Sequence, residues 1–399
     1  MAKKKSDVVE QNTSDESDFA VELIKQLNKE AGEKVAFNLG FDEAPTNVSS
    51  WISTGSKQLD YIIANKKDGG LPVGRIIEIW GPPSIGKSHI AAQICKSTYA
   101  AGGISVYIDT ENATMVDNLR ALGVNVSQRF VYIQTGCTED VFKFSESTIK
   151  KAKAMSKDVP VTIIWDSVAA SSPKAELEGD YDQNTIGLQA RTIAKGMRKI
   201  TDLIGHEKVL FVCLNQAKMK IGASKYEDQT APAGGLAIPF HASVRIKLSS
   251  GNPLKDEKKE VYGINVIAKT IKNKVAIPFR SVNFEVHFGK GIREWEQIFD
   301  LLREYGTVES DDGTKRTISG AGGWKTFLVT KGSETILEKS FHKGDFREMM
   351  SDPVYSSHID EMLEAALVRK MTGEPDIDHN SLVEIEALAE ELGDLIPPE

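Results

Sequence analysis

The chain has 399 residues, with 49 Lys and Arg against 57 Asp and Glu, a formal charge of −8, and three cysteines (Cys95, Cys137, Cys213) that stand among apolar residues without metal-ligand spacing. No run approaches the roughly 18 apolar residues that a membrane span requires, and the basic start Met1-Ala2-Lys3-Lys4-Lys5 leads into polar residues instead of the apolar stretch of a secretory leader. A membrane partner is therefore excluded, cytoplasmic residence is expected, and the length allows one large domain with smaller appendages.

Residues 1 to 16 are polar and expected to be disordered. Within 17–50, Phe19, Leu23, Ile24 and Leu27 recur at helical spacing and give a charged helix one apolar stripe, with Val35-Ala36-Phe37 beyond it as an extended arm. A stripe of this kind needs a partner surface, either its own core or a neighbouring subunit. From 51 to 288, short apolar runs alternate with helical patterns, the mark of an α/β core with a mostly parallel central sheet. Strands are predicted at Arg75 to Trp80, Ile104 to Asp109, Phe130 to Gln134, Val161 to Asp166, Lys208 to Asn215, Ser243 to Leu248, Ile264 to Thr270 and Val282 to His287. Two segments inside this core, 178–187 and 217–235, fit neither strand nor helix, and the longer exceeds the roughly 12 to 15 residues beyond which an irregular loop is usually functional or disordered. Residues 289–372 form a small C-terminal domain, read as helical around Trp295 to Leu302, turn-rich from Ser310 to Gly323 and helical again through Met371. The tail 373–399 carries nine acidic residues and no Lys or Arg, and removing those nine takes the formal charge from −8 to +1. The overall sign belongs to the tail and says little about what the body binds.

The most informative segment is Gly81-Pro82-Pro83-Ser84-Ile85-Gly86-Lys87-Ser88, which follows a strand pattern and precedes the helical Ile90, Ala91, Ile94 pattern. In that setting it is a phosphate cradle: glycines let backbone N–H groups turn inward, the helix adds the positive end of its dipole, Lys87 supplies a cation and Ser88 a hydroxyl for phosphate-bound Mg²⁺. Asp166, at the end of its strand and followed by Ser167, is a metal-site acid on the crevice side of the sheet. Glu111, just past another strand end, is placed to activate water, although such an acid serves a structural role equally well. Gln216 puts an amide at the mouth of the long loop, either as a donor to a terminal phosphate or as a polar cap. Lys218, Lys220 and Lys225, with Gly222, Gly234 and Gly235, suit a phosphate backbone or a solvated loop.

The order of the motifs narrows these choices. Ser53-Thr54-Gly55-Ser56, Gly69-Gly70-Leu71-Pro72, Gly74-Arg75-Ile76, the cradle, Asp166-Ser167-Val168-Ala169-Ala170, Pro173-Lys174-Ala175-Glu176, Gly187-Leu188, Met197-Arg198-Lys199, Asn215-Gln216, Met219-Lys220-Ile221-Gly222 and Lys272-Asn273-Lys274 with Pro278-Phe279 closely resemble the bacterial RecA recombinases across roughly residues 35 to 330. The resemblance implies a RecA-type P-loop ATPase core with an N-terminal oligomerisation arm and a small α+β C-terminal domain. It implies a homologous recombinase that forms an ATP- and Mg²⁺-dependent helical filament on single-stranded DNA and pairs it with homologous double-stranded DNA. Further implied partners are single-strand-binding and mediator proteins. A hexameric helicase-type motor and a DNA-coating filament that uses ATP only as an assembly switch are the alternatives on the same core.

Carried over by position, residues 81 to 88 hold the nucleotide, Glu111 is the hydrolytic base, Asp166 serves the Mg²⁺ site and Gln216 senses the terminal phosphate. Lys272 and Lys274 match the pair that reaches the neighbouring subunit's ATP. Segments 178–187 and 217–235 match the two DNA-binding loops, with Ile186 as an apolar wedge between base steps and Arg191 and Arg198 as backbone contacts. The chain departs from the family at Met115 and Asn118, where adenine contacts are usual, at Pro83 and Ile85 in the cradle, and in a second loop one residue longer. The acidic tail resembles a regulatory tail that competes with DNA for basic surface.

Overall fold

The computed structural model describes residues 6–42, 46–180, 182, 185–219, 230–320 and 322–372, with side chains from residue 19 onward. The chain divides into two units, Met1–Ser49 and Ser50–Glu399.

In the first unit, α1 runs over Ser6–Ala31. The helix starts well ahead of the apolar stripe because residues 6–17 contain neither Gly nor Pro to stop it. Residues 6–16 are therefore helical rather than disordered, and residues 1–5 lie outside the described part. Asn28 draws the following arm against the end of the helix, its Oδ1 accepting from the N–H groups of Val35 (2.8 Å) and Ala36 (2.7 Å). Within this unit Phe19, Leu23 and Leu27 stay exposed, as do Leu39 and Phe41 of the arm.

The second unit begins with β1 (Trp51–Ile52), α2 (Lys57–Ala64) and β2 (Leu71–Pro72), then enters the core with β3 (Ile76–Gly81), α3 (Lys87–Ala100), β4 (Ile104–Asp109), α4 (Val116–Ala121), β5 (Phe130–Gln134), α5 (Thr138–Met155) and β6 (Val161–Asp166). There follow α6 (Lys174–Leu177), α7 (Leu188–His206), β7 (Val209–Met219), β8 (Thr230–Pro232), α8 (Ala237–His241), β9 (Val244–Lys255), β10 (Val261–Asn273), β11 (Ser281–His287) and β12 (Gly291–Arg293). The main sheet has the order β12-β11-β10-β9-β3-β7-β6-β4-β5, with β8 attached to β7. From β9 through β5 the pairs are parallel, while β9 to β12 form an antiparallel extension. Wholly apolar runs such as Ile163-Ile164-Trp165 are buried on both faces, as a helix-covered parallel sheet requires. The three cysteines are buried, and burial pushes the Cys95 thiol up to about 12.

Strands β4, β5 and β6 match the sequence expectation residue for residue, whereas β7, β9 and β10 run further. Their extensions mix polar residues with Ala217, Met219, Val261, Tyr262 and Ile271 and leave no buried apolar run; they are strands because each has a partner, Ala217–Met219 against β8 and Ser249–Lys255 against β10. The segment 217–235 is accordingly a two-stranded ribbon at its base, with residues 220–229 outside the described part.

After β12 come α9 (Trp295–Tyr305), β13 (Val308–Glu309), β14 (Thr314–Ser319), β15 (Trp324–Lys331), β16 (Glu334–His342), α10 (Phe346–Met349) and α11 (Pro353–Thr372). The expectation of turns and then helix over 310–342 is corrected by the antiparallel sheet β13-β14-β15-β16. Its signal is the period of two in Lys325, Phe327 and Val329, which are buried while their neighbours are not, followed by the Gly332 turn at φ 58°. Phe299, Phe327, Phe341 and Phe346 fill a separate apolar cluster there with residues of α11. Among the described residues no helix is long and apolar enough to cross a membrane. The acidic tail 373–399 lies outside the described part.

Two carboxylates tie α2 to its surroundings. Glu294, preceding α9, accepts from Ser56 Oγ (2.6 Å) and Lys57 N (2.5 Å) and so occupies the N-terminus of α2. Asp60 accepts from Ser53 Oγ (2.5 Å), Thr54 N (2.7 Å) and Thr54 Oγ1 (2.7 Å), yet burial outweighs these bonds and raises its carboxyl to about 7. A carboxyl whose folded pKa lies above its unfolded value stabilises most below the unfolded pKa, and loses that contribution as pH rises to the folded one. Asp60→Asn should therefore remove a fall in stability of up to about 4 kcal/mol between about pH 4 and 7. Urea midpoints of the two proteins across that range check this; parallel pH profiles would contradict it.

Candidate nucleotide site and its flanking loops

The cradle joins β3 to α3, and its glycines answer to different constraints. Gly81 ends β3 beside β9, where a Cβ would lie 2.6 Å from Leu248 O. Gly86 has φ 97°, in the region that side chains disfavour, and a Cβ there would meet a Val286 methyl at 3.1 Å. Between them Pro82, Pro83 and Ser84 are exposed, while Ile85 is buried in the core beneath and anchors the loop. Since neither proline has an N–H, the backbone donors available to an anion run from Ser84 to Ser88, at the N-terminus of the 14-residue α3.

Lys87 is buried, its ammonium donating to Gly81 O (3.2 Å) and Pro82 O (2.7 Å). Burial lowers its pKa, against the negative charges of Asp166 and Glu111. Asp166 ends β6 and its Oδ2 accepts from Ser88 Oγ (3.1 Å) and from the Tyr107 hydroxyl. Burial raises the Asp166 pKa, with the Tyr107 bond opposing. The Asp166–Ser167 peptide is cis. A hydroxyl and a carboxylate on adjacent elements are the hard oxygen donors that suit Mg²⁺ carried mainly by phosphates and water. Among the described residues no group of three or more His, Cys, Asp or Glu gathers into a cage.

Glu111 is set by the residue two before it. Asp109, at the end of β4, accepts from the N–H groups of Glu111 (2.9 Å), Asn112 (2.8 Å) and Thr114 (3.0 Å) and from the Tyr132 hydroxyl (2.8 Å), curling the chain into a turn. Burial raises the Asp109 pKa, but these bonds outweigh it and the net shift is downward. Glu111 Oε1 then accepts from Gln216 Nε2 at 2.8 Å and from Ser167 Oγ. Gln216 stands in β7 opposite Gly81, so the structure gathers the cradle, Asp166, Glu111 and Gln216 at one edge of the sheet.

The remaining expected residues are spread more widely. Ile186 is 85 % exposed, and Arg191 and Arg198 are exposed on α7. Lys218 is exposed in β7, while Lys220, Gly222 and Lys225 lie outside the described residues. Gly234 and Gly235 press against α7, where added Cβ atoms would come within 2.9 Å of Ile193 and Ala190. They and Thr185, Ile186 and Gln189 line a cleft of about 470 Å³ between the two loop segments. Lys272 and Lys274 are not at the cradle. Lys272 pairs with Arg245 near the start of β9, level with Glu78 of β3 and two strands away from it, and donates to Pro239 O (2.8 Å) and Phe240 O (2.9 Å); burial lowers its pKa, helped by Lys274. Met115 and Asn118 are both exposed.

Tyr107, Asp109 and Ser167 belong to the site although motif reading passes over them. Tyr107 and Asp109 share one face of β4 by simple alternation, which places the phenol against Asp166 and the carboxylate beneath Glu111.

Compared with known proteins, residues 19–293 match the family model for the RecA N-terminal domain. The chain is 37 % identical over 295 residues to Protein RecA of Geobacter sulfurreducens, covering 74 % of this chain and 83 % of that one. It is 36 % identical over 347 residues to Protein RecA of Sulfurimonas denitrificans (86 % and 91 % covered) and 33 % identical over 387 residues to that of Chloroherpeton thalassium (96 % and 99 % covered).

Gly81→Ala should force β3 and β9 apart at the cradle, costing about 1–3 kcal/mol as overpacking does. Nucleotide affinity should fall with it, measured by titration with a fluorescent ATP analogue beside a thermal melt; wild-type affinity and melting would show that the loop tolerates the added methyl.

Proposed function

The chain belongs to the RecA family and is an ATP-dependent recombinase of DNA recombination and repair, and from that premise we propose how its own residues do the work. ATP occupies the cradle from Gly81 to Ser88, with its charge set against the α3 N-terminus, and Lys87 exchanges the Gly81 and Pro82 carbonyls for phosphate oxygens. Ser88 and Asp166 would hold Mg²⁺, which would supply charge neutralisation to the phosphates when bound. Glu111 orients and deprotonates the attacking water.

The observation that carries the reading is the 2.8 Å bond from Gln216 Nε2 to Glu111 Oε1. The amide that turns to a terminal phosphate is the one that otherwise occupies the base, so a bound triphosphate both draws Gln216 away and frees Glu111. Gln216 and Lys218 lie on the same strand, and Ala217 to Met219 pair with β8, so the ribbon that leads to the second DNA loop moves with the amide. Lysines of that loop and Arg191, Arg198 and Ile186 then hold single-stranded DNA by backbone charge and base-step insertion, without reading sequence. Homology is read by base pairing with the duplex.

Lys272 and Lys274, at the end of β10 two strands away from their own cradle on β3, act on a neighbour's ATP. Cations that meet ATP only across a subunit boundary link filament assembly to nucleotide state. The exposed stripe of α1 and its arm join the neighbouring subunit, and the tail 373–399 competes with DNA for basic surface. Single-strand-binding and mediator proteins are further partners, and the chain works in the cytoplasm.

The test is strand exchange between a single strand and a homologous duplex, with filaments viewed by electron microscopy. Helical filaments with exchange support the reading; closed rings that unwind a tailed duplex without homology favour a motor, and coating without phosphate release favours an assembly switch. Lys87→Ala should abolish ATP-stimulated binding to an oligodeoxynucleotide, and Glu111→Gln should retain binding while phosphate release falls about 10²–10⁴-fold, as loss of a general base does. Mixing Lys272→Ala with Glu111→Gln should restore partial turnover at shared boundaries; no turnover in mixed filaments would remove the assignment in trans.

A further inference from the structure

Glu78 lies in the middle of β3, the strand that ends in the cradle, and its side chain is completely buried. Nothing in the nucleotide chemistry uses it. A carboxylate at the centre of a sheet is costly unless it is fully partnered, and its partners come from both neighbouring strands. Oε1 accepts from Asn215 Nδ2 at 3.0 Å and Oε2 from Arg245 Nε at 2.6 Å.

Each partner leads to a different part of the molecule. Asn215, also completely buried, donates through the same Nδ2 to Ala233 O (2.9 Å), where the chain returns from the second loop, and its Oδ1 accepts from Gln216 N at 2.9 Å. Arg245 is the cross-strand partner of Lys272, and the Lys272 ammonium feels the charges of both Arg245 and Glu78. One row of polar groups therefore crosses four strands, from the phosphate-facing amide on β7 through β3 and β9 to the lysine on β10. It is embedded in the apolar face formed by Ile76, Cys213, Ile193, Met197 and Ile238.

We propose that Glu78 is a positioning residue that couples the two ends of this row, so that displacement of Gln216 is delivered both to the return of the second loop at Ala233 and to Lys272 at the subunit edge. The inference rests on the recombinase reading and adds the element through which nucleotide at one site alters DNA and neighbour contacts at another. Glu78 and Asn215 are completely buried and the Arg245 side chain is 16 % exposed, so Asn215 has no water with which to replace a lost carboxylate bond and Arg245 has little. The hydrogen bonds hold or break together, which is the discrete behaviour that coupling requires.

Glu78→Gln keeps the shape but replaces one acceptor oxygen by an N–H₂ that faces donors on both sides. The double variant Glu78→Gln with Arg245→Gln removes the charge pair as a unit and guards against loss of fold from a buried unpaired guanidinium. The readout is the ratio of dissociation constants for a fluorescent oligodeoxynucleotide with ADP and with a non-hydrolysable ATP analogue, measured beside a melt and nucleotide binding without DNA. In the wild type the ratio should fall within the roughly 5–150-fold range of allosteric couplings, and in the variants it should drop to about twofold or less, with DNA affinity in ADP unchanged. A structural role alone would lower the melting temperature and leave the ratio intact. Either variant, folded and with the wild-type ratio, overturns the proposal. A wild-type chain whose DNA affinity ignores the nucleotide overturns the recombinase reading itself, and the coupling with it.

Discussion

Everything at the site depends on the parallel register of β3, β7, β6 and β4. Gly81 stands opposite Gln216, and Asp166 opposite both Leu214 and Asp109, so β3, β4 and β6 end where β7 carries Gln216 past them, at one edge of the sheet. Residues far apart in sequence meet there because parallel strands open their carboxyl ends onto the same side of the sheet. The cradle, the carboxylate beside Ser88, the turn that presents Glu111 and the amide of Gln216 all follow from that alignment. A slip of one residue in any of these strands would turn its terminal side chain to the other face.

The electrostatics follow from burial as much as from charge. Asp166 is desolvated, Lys87 is desolvated and folded onto carbonyl oxygens, and Asp109 keeps its charge by accepting three backbone N–H groups and a phenol. The structural carboxylate is thereby the satisfied one, and Glu111 beside it, the base we propose, is exposed and accepts from the side chains of Gln216 and Ser167. Separation of a fixed acid from a movable one is what a hydrolytic site on a scaffold needs.

Much of this was legible in the sequence, for physical reasons that differ by element. The cradle is local: strand, glycine-bounded turn and helix follow within two dozen residues, and each leaves its own pattern. The strands β4 and β6 are buried on both faces, so their apolar runs mark their ends to the residue. The extensions of β7, β9 and β10 are mixed in polarity and carry no buried apolar run, so their signal is the partner strand, which no local window contains. In the C-terminal lobe the alternation of Lys325, Phe327 and Val329 was present but is interrupted by a lysine at a buried position, which hides the period of two. That lysine is tolerated because its ammonium reaches the carbonyls of Gly320 (3.3 Å) and Gly322 (2.5 Å).

The polar row through Glu78 was the least legible feature, and its concealment is informative. In sequence, Glu78 is one acid within Ile76-Ile77-Glu78-Ile79-Trp80, a polar residue where a central strand should be apolar. A sheet selected for stability alone would fill that position with Val or Ile, since replacing a buried charge pair with packed apolar groups is often neutral or stabilising. Its presence between the strand that carries Gln216 and the strand that faces Lys272 sets a cost in stability against a geometric constraint on two distant groups. A local rule broken at the centre of an otherwise consistent core marks the place where the fold serves function rather than its own cohesion.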